Sequence, residues 1–292
     1  MEQLPPAVLG YIFWWMGDMA AVYRSCACKH WLSVARAQVT VGGNLRVTLH
    51  ISANNSAARI RSFLKVPWLN ACRALKLMFD SIDNATCAAG LVARLGDALL
   101  EVSMKKTSFL LPIDGLHLVL SDALVHSLAL NCTNLVSLRL SYLISTNVLK
   151  HLLLCAPSLR SLTMPMHKHA RGNYLGMVLC LHGTALEHLK IPLFYLTGLR
   201  PDIDFGLPAV RELCLDCKYT EMANVVGVLQ ACRLSPLQLK RLVLKNAETH
   251  GDDIRKLVEA FPGTRIDLRD CLMDNQHLRL CISVEGAEKF FK

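Results

Sequence analysis

The chain has 292 residues, 52% hydrophobic and 19% charged, a composition that excludes a disordered protein because it buries enough apolar surface to offset the entropy of ordering. Its net charge of +9, from 32 Lys and Arg against 23 Asp and Glu, favours acidic partners. The basic residues are nevertheless spread along the chain, the densest group being His167, Lys168, His169 and Arg171, and 7% aromatic content builds no stacking platform, which argues against a nucleic-acid binder.

The first predicted element lies in LPPAVLGYIFWWMGDMAAVYRSCACKHW, Leu4 to Trp31, which holds three of the four tryptophans, Trp14, Trp15 and Trp31. Ala7 to Met16 carries no charge. Val8, Ile12 and Met16 recur at i, i+4 and i+8, with Leu9 and Phe13 as an adjacent stripe, so a helix here is apolar over more than the ~100° that one core contact uses. That width predicts a second partner. Glu2 stands where a signal peptide needs a basic segment, and Pro5-Pro6 precedes the apolar part, so export is not expected. No apolar run reaches the ~20 residues of a membrane span.

Strands are predicted next at Leu45–Leu49, Cys72–Leu77, Leu99–Met104 and Ile113–Leu118, with helices near Ser56–Leu64 and Asn84–Leu95. The step from Val102 to Leu116 is too short to hold a helix, which implies a bare turn or one misassigned strand. From there L-x-x-L-x-L returns at Leu135/Leu138/Leu140, Leu159/Leu162/Met164, Leu186/Leu189/Ile191, Val210/Leu213/Leu215 and Leu239/Leu242/Leu244, with a shorter copy at Ile266 and Leu268. The middle positions 138, 162, 189, 213, 242 and 266 are 24 to 29 residues apart. Helix-like stretches separate them. STNVLKHLLLCAPS is capped by Ser145 or Thr146 and stopped by Pro157, and HGDDIRKLVEAFPG is capped near Asp252 and stopped by Pro262-Gly263. A segment of strand, turn and helix this small cannot bury both faces alone, so its neighbours must stack.

The residues alternating with the leucines then share one open strand face: Ser137 and Arg139, Ser161 and Thr163, His188 and Lys190, Glu212 and Cys214, Arg241 and Lys245, and Arg265, Asp267 and Arg269. Among them Arg139, Thr163, His188, Lys190, Glu212, Arg241, Lys245, Arg265 and Arg269 are the candidate substrate contacts, with the basic end suited to an acidic or phosphorylated protein segment.

The spacing, with NCTNLVSLRL and LCAPSLRSLTM, resembles the cysteine-containing leucine-rich repeats. The stretch before them resembles an F-box. Leu4-Pro5 matches its opening pair, Ile12-Phe13 its first helix centre, Met16 the usual leucine, and Cys28, Lys29 and Trp31 its closing phrase; Ala7 and Ala27 depart from the usual acidic residue and valine. The resemblance covers about Leu4 to Ala37 and implies an α/β chain: an F-box-like helical domain at 1–40, a leucine-rich-repeat solenoid at 41–282 with a curved parallel sheet on its concave face, and a tail at 283–292. It further implies a non-catalytic substrate receptor of a cullin-RING ubiquitin ligase in the cytoplasm or nucleus. The implied contacts with a Skp-type adaptor, and through it a cullin, are Leu4, Pro5, Val8, Ile12, Phe13, Trp15, Met16, Cys28 and Trp31. The alternative is a leucine-rich-repeat scaffold subunit of a larger protein or ribonucleoprotein assembly, with a degenerate F-box as cap.

Twelve cysteines in apolar contexts read as reduced core residues, not as a disulfide framework. Cys214-x-x-Cys217 is a single pair without the second pair or histidines that zinc needs, so no metal is expected. No phosphate loop, nucleophile elbow or H-E-x-x-H marks an active site, and no cofactor is implied.

Overall fold

A computed structural model describes residues 45–51, 72–79, 85–106, 122–141, 144–164, 173–197, 206–273 and 276–282. The fold is α/β, with parallel strands and helices between them, and it divides into two compact units. The first runs to Ile144 and takes in Cys155–Ser158; the second comprises Ser145–Leu154 and the chain from Leu159.

In the first unit, β1 (Leu45–Ile51), β2 (Cys72–Phe79), β3 (Glu101–Lys106) and β4 (Ser137–Leu140) pair in parallel and in chain order. Helix α1 (Ala85–Leu95) connects β2 to β3, and α2 (Asp122–Asn131) precedes β4. Alternation sets the faces. Leu75, Val102 and Leu138 fall in one cross-strand row and Leu77, Met104 and Leu140 in the next, all buried. Leu91 and Val92 of α1 and Leu124, Val125 and Leu128 of α2 are buried as well, and the two helices pack on each other. Strand β3 pairs directly with β4, Val102 opposite Leu138, and the strand expected at Ile113–Leu118 lies outside the described residues. Strand β3 also begins two residues later than expected, since Leu99 ends a turn whose N–H donates to the Gly96 carbonyl.

The second unit holds α3 (Thr146–Cys155, mostly within it), β5 (Ser161–Thr163), α4 (Asn173–His182), β6 (His188–Pro192), β7 (Glu212–Glu221), α5 (Met222–Ala231), β8 (Arg241–Thr249), α6 (Gly251–Ala260), β9 (Arg265–Met273) and β10 (Gln276–Ile282). Strands β5 to β9 are parallel, and Leu162, Leu189, Leu213, Leu242 and Ile266 are register partners along one buried row. Ile191, Leu215, Leu244 and Leu268 make the next row. Each such leucine contributes roughly 1.5–3 kcal/mol of burial. The L-x-x-L-x-L phrases therefore coincide with the strands.

One turn recurs ahead of these strands. The Arg160 carbonyl accepts the N–H groups of both Glu187 and His188; that of Glu187 accepts Arg211 and Glu212; that of Arg211 accepts Lys240 and Arg241. The Leu100 carbonyl does the same for Val136 and Ser137 in the first unit. Side chains follow the stack: Glu187 lies between Arg160, 3.8 Å away, and Arg211, 3.5 Å away.

Capping is partly as expected. Ser145 Oγ accepts the Val148 N–H at 3.3 Å, making it the cap of α3. Asp252 is not a cap: α6 begins at Gly251 after His250, which makes no side-chain cap bond, and Asp252 and Asp253 occupy the first turn, where the helix dipole favours anions.

Two further features depart from the sequence expectation. Strand β10 is antiparallel to β9, with only residues 274–275 between them in sequence, so the second unit does not end on a parallel strand. Strands β7, β8 and β9 are long because each turns a corner on a left-handed residue, Lys218 (φ 46), Asn246 (φ 53) and Asp270 (φ 54), and resumes pairing beyond it. Asn and Asp tolerate this conformation better than other side-chain-bearing residues.

Candidate functional site

On the open face of the second unit the register builds three rows of side chains. Ser161, His188, Glu212, Arg241 and Arg265 form the first; Thr163, Lys190, Cys214, Val243 and Asp267 the second; Asp216, Lys245 and Arg269 the third. A recess of about 230 Å³ lies over their middle, from Ser161 on β5 to Arg269 on β9. Thus Thr163, His188, Lys190, Glu212, Arg241, Lys245 and Arg269 of the sequence-predicted set line one surface. Arg265 stands beside it in the row of Arg241.

The basic end is organised by an acid. Asp267 is buried, its side chain 5% exposed, although its place on the strand face predicted a solvated residue. Arg241 donates from both Nε (3.0 Å) and Nη2 (2.6 Å) to Oδ2; Arg265 donates from Nε to Oδ1 (3.0 Å), and Arg269 from Nη2 to Oδ2 (3.4 Å). A carboxylate leaves water this completely only when charged donors replace its hydration, and here three guanidinium groups do so. Two of the Arg241 donors are spent inside the protein, so this residue presents a fixed charge more than an open fork. The three arginines around one aspartate retain two positive charges.

The remaining cations are differently placed. Lys190 and Lys245 have no ion-pair partner among the described residues, and with Arg269 they surround the half-buried thiol of Cys214. Burial pushes that thiol up from its ordinary value while Lys245, Lys190 and Arg269 pull it back. Glu212 pairs with His188 at 3.3 Å, at the other end of the recess. Asp216 accepts Asn246 Nδ2 at 3.0 Å and so ties β7 to the β8 corner. Cys217, beyond Asp216, is buried with its thiol pushed up to about 12, so the two thiols of the C-x-x-C pair occupy different environments.

Sequence reasoning left Val243 unassigned. It sits between Arg241 and Lys245 on the same face, 7% exposed, and gives the recess an apolar floor. The clamp on Asp267 carried a readable signal: Arg265-x-Asp267-x-Arg269 places three ionised groups on one side of a strand, beside Arg241 in the neighbouring copy of the phrase.

Arg139, the remaining predicted substrate contact, lies on the open face of the first unit. The predicted adaptor contacts Leu4, Pro5, Val8, Ile12, Phe13, Trp15, Met16, Cys28 and Trp31 lie outside the described residues, as do Ser56–Leu64, the His167–Arg171 cluster and 283–292. Among the described residues no three His, Cys, Asp or Glu side chains converge as metal ligands, and no helix is long and apolar enough to cross a membrane.

No protein-family model matches the chain, and no curated protein is significantly similar to it. The functional reading therefore stands on the residues and their arrangement.

Proposed function

We propose that this protein is the non-catalytic substrate-recognition subunit of a cullin-RING ubiquitin ligase, with the segment Leu4–Ala37 acting as an F-box for a Skp-type adaptor and the remainder as a leucine-rich-repeat solenoid that holds a protein substrate. The observation that carries it is the second unit's open face, where register-matched strands present Lys190, Arg241, Lys245, Arg265 and Arg269 as one surface over buried leucine rows. Five cations against Glu212, Asp216 and Asp267 leave two positive charges, which suits an acidic or phosphorylated segment. The contribution to ubiquitin transfer is effective concentration: a held substrate meets the transfer machinery intramolecularly.

The test is a pull-down of the full chain with a purified Skp-type adaptor beside two variants, Leu4→Ala with Pro5→Ala, and Trp31→Ala. Stoichiometric capture lost in both variants, with their circular dichroism unchanged, supports the reading. If the intact folded chain captures no adaptor, the reading fails, and a scaffold subunit with its first segment as a cap takes its place. The substrate half is tested separately by reversing Lys190 and Lys245 to Glu and comparing the proteins captured from a proteasome-inhibited lysate; an unchanged set rules this face out.

A further inference from the structure

The first unit carries its own polar recess, of about 350 Å³, on the open face of β1–β4. Its central row is Thr48, Lys76, Ser103 and Arg139, residue opposite residue on four successive strands. With strands about 4.8 Å apart, the Lys76 and Arg139 backbones stand about 10 Å from one another with Ser103 midway, a span that side chains of this length can bridge to reach a ligand over the serine. Lys105, two residues beyond Ser103 on β3, points to the same face, and Ser137 adds a hydroxyl beside Arg139. Lys76 and Arg139 have no ion-pair partner among the described residues. Unlike Arg241, Arg139 makes no hydrogen bond to a carboxylate among the described residues.

Among the described residues the recess combines three hydroxyls with three cations, offset by the carboxylate of Glu101. Two positive charges remain. Hydroxyl donors flanked by an ammonium and a guanidinium match a phosphate monoester, whose three terminal oxygens and charge near −2 take several short charge-assisted bonds at once. Among the described residues no aromatic side chain lines the recess, so nucleic-acid bases have nothing there to stack on. We propose that this recess reads a phosphorylated serine or threonine side chain on a protein segment, with Ser103 at its centre and Lys76 and Arg139 on its flanks. This site is separate from the basic face of the second unit, and its reading does not rest on adaptor binding.

Fluorescence anisotropy of the full chain tests it, with a short labelled Gly/Ala/Glu peptide carrying one central phosphoserine, its serine twin, and an oligouridylate of matched charge. The phosphopeptide is expected to bind at least about tenfold more tightly than the twin. Lys76→Glu with Arg139→Glu abolishes that preference, Ser103→Ala weakens it about three- to tenfold, and Arg139→Lys retains only part of it. Lys150→Glu, at an exposed position of α3 outside both recesses, leaves it intact. Should the double reversal in the first unit fail to fold, Ser103→Ala and Arg139→Gln carry the test singly. Equal binding of the two peptides, no binding up to about 1 mM, survival of the preference in the first-unit variants, or tighter binding of the oligouridylate each overturns the proposal.

Discussion

Arg241 on β8 and Asp267 on β9, diagonal neighbours across the strand pair, are joined by two hydrogen bonds from one guanidinium to one carboxylate oxygen, the shorter at 2.6 Å. Asp267 serves Arg265 and Arg269 as well, so one buried acid holds three cations in a fixed array. Asp267→Ala should therefore destabilise the fold by roughly 1–3 kcal/mol, a value discounted because the arginines are a third to a half exposed. The distinguishing readout is salt. Added sulfate can stand in for the missing carboxylate, so the thermal midpoint of the variant should rise with sulfate more than that of the parent; equal responses would show that the arginines do not form a shared anion cradle.

A glycine pair separates packing from helix propensity. A Cβ added to Gly176 in α4 would overlap the backbone carbonyl of Tyr195, which cannot move aside as a side chain could, whereas one added to Gly227 in α5 meets nothing within 4 Å. Gly176→Ala should lower stability by about 1–3 kcal/mol. Gly227→Ala should raise it by about 0.5–1 kcal/mol through backbone entropy alone. Urea unfolding of both variants checks the opposite signs.

Alkali should unfold the protein through its buried thiols. Cys72, Cys132 and Cys217 are pushed up to about 12 by burial, from an ordinary value of 9.0 that they regain on unfolding. Between those values the native state binds more protons than the unfolded one, so these thiols leave stability unchanged below about pH 9 and lower it as pH rises above that. Each thiol accounts for up to about 1.4 kcal/mol per pH unit in that window. Thermal midpoints from pH 8 to 11 should show the fall, and Cys217→Ala should make its slope shallower.

The two thiols of Cys214-x-x-Cys217 should differ in labelling. Cys214 is half-buried among Lys190, Lys245 and Arg269, and Cys217 is 1% exposed. A maleimide applied to the native protein at pH 8 should modify Cys214 well before Cys217, and urea should erase the difference. Peptide mapping reads both positions in one experiment; equal native labelling would place both thiols on the open face.

Strand positions were legible because leucine at every second place admits only one face inward: Leu189, Leu213 and Leu242 lie opposite one another as their phrases align. The candidate site was legible to the same depth, since Lys190, Arg241 and Arg269 had to face outward wherever the leucines faced in. What alternation does not encode is a partner across strands, and so Asp267 read as solvated while its arginines, residues 241, 265 and 269, bury it. Nor does it encode backbone handedness. Asn246 and Asp270 carry a hint of the corner, but Lys218 carries none, and no hydropathy pattern reveals a left-handed lysine. The reversal at β10 was missed because an apolar stretch such as Leu278 to Ile282 fits a parallel and an antiparallel neighbour equally well.

That reversal changes where the sheet comes apart. An outermost parallel strand has half of its amides turned to solvent, and it opens first when a stack loosens. Strand β9 instead has β8 on one side and β10 on the other, bonded to both. Opening from this end must peel away β10 first, so the amides of Ile266 to Leu272, and with them the backbone that carries Asp267, should exchange with deuterium at the slow rate of an interior strand. The anion array is thereby kept one strand inside the fraying boundary.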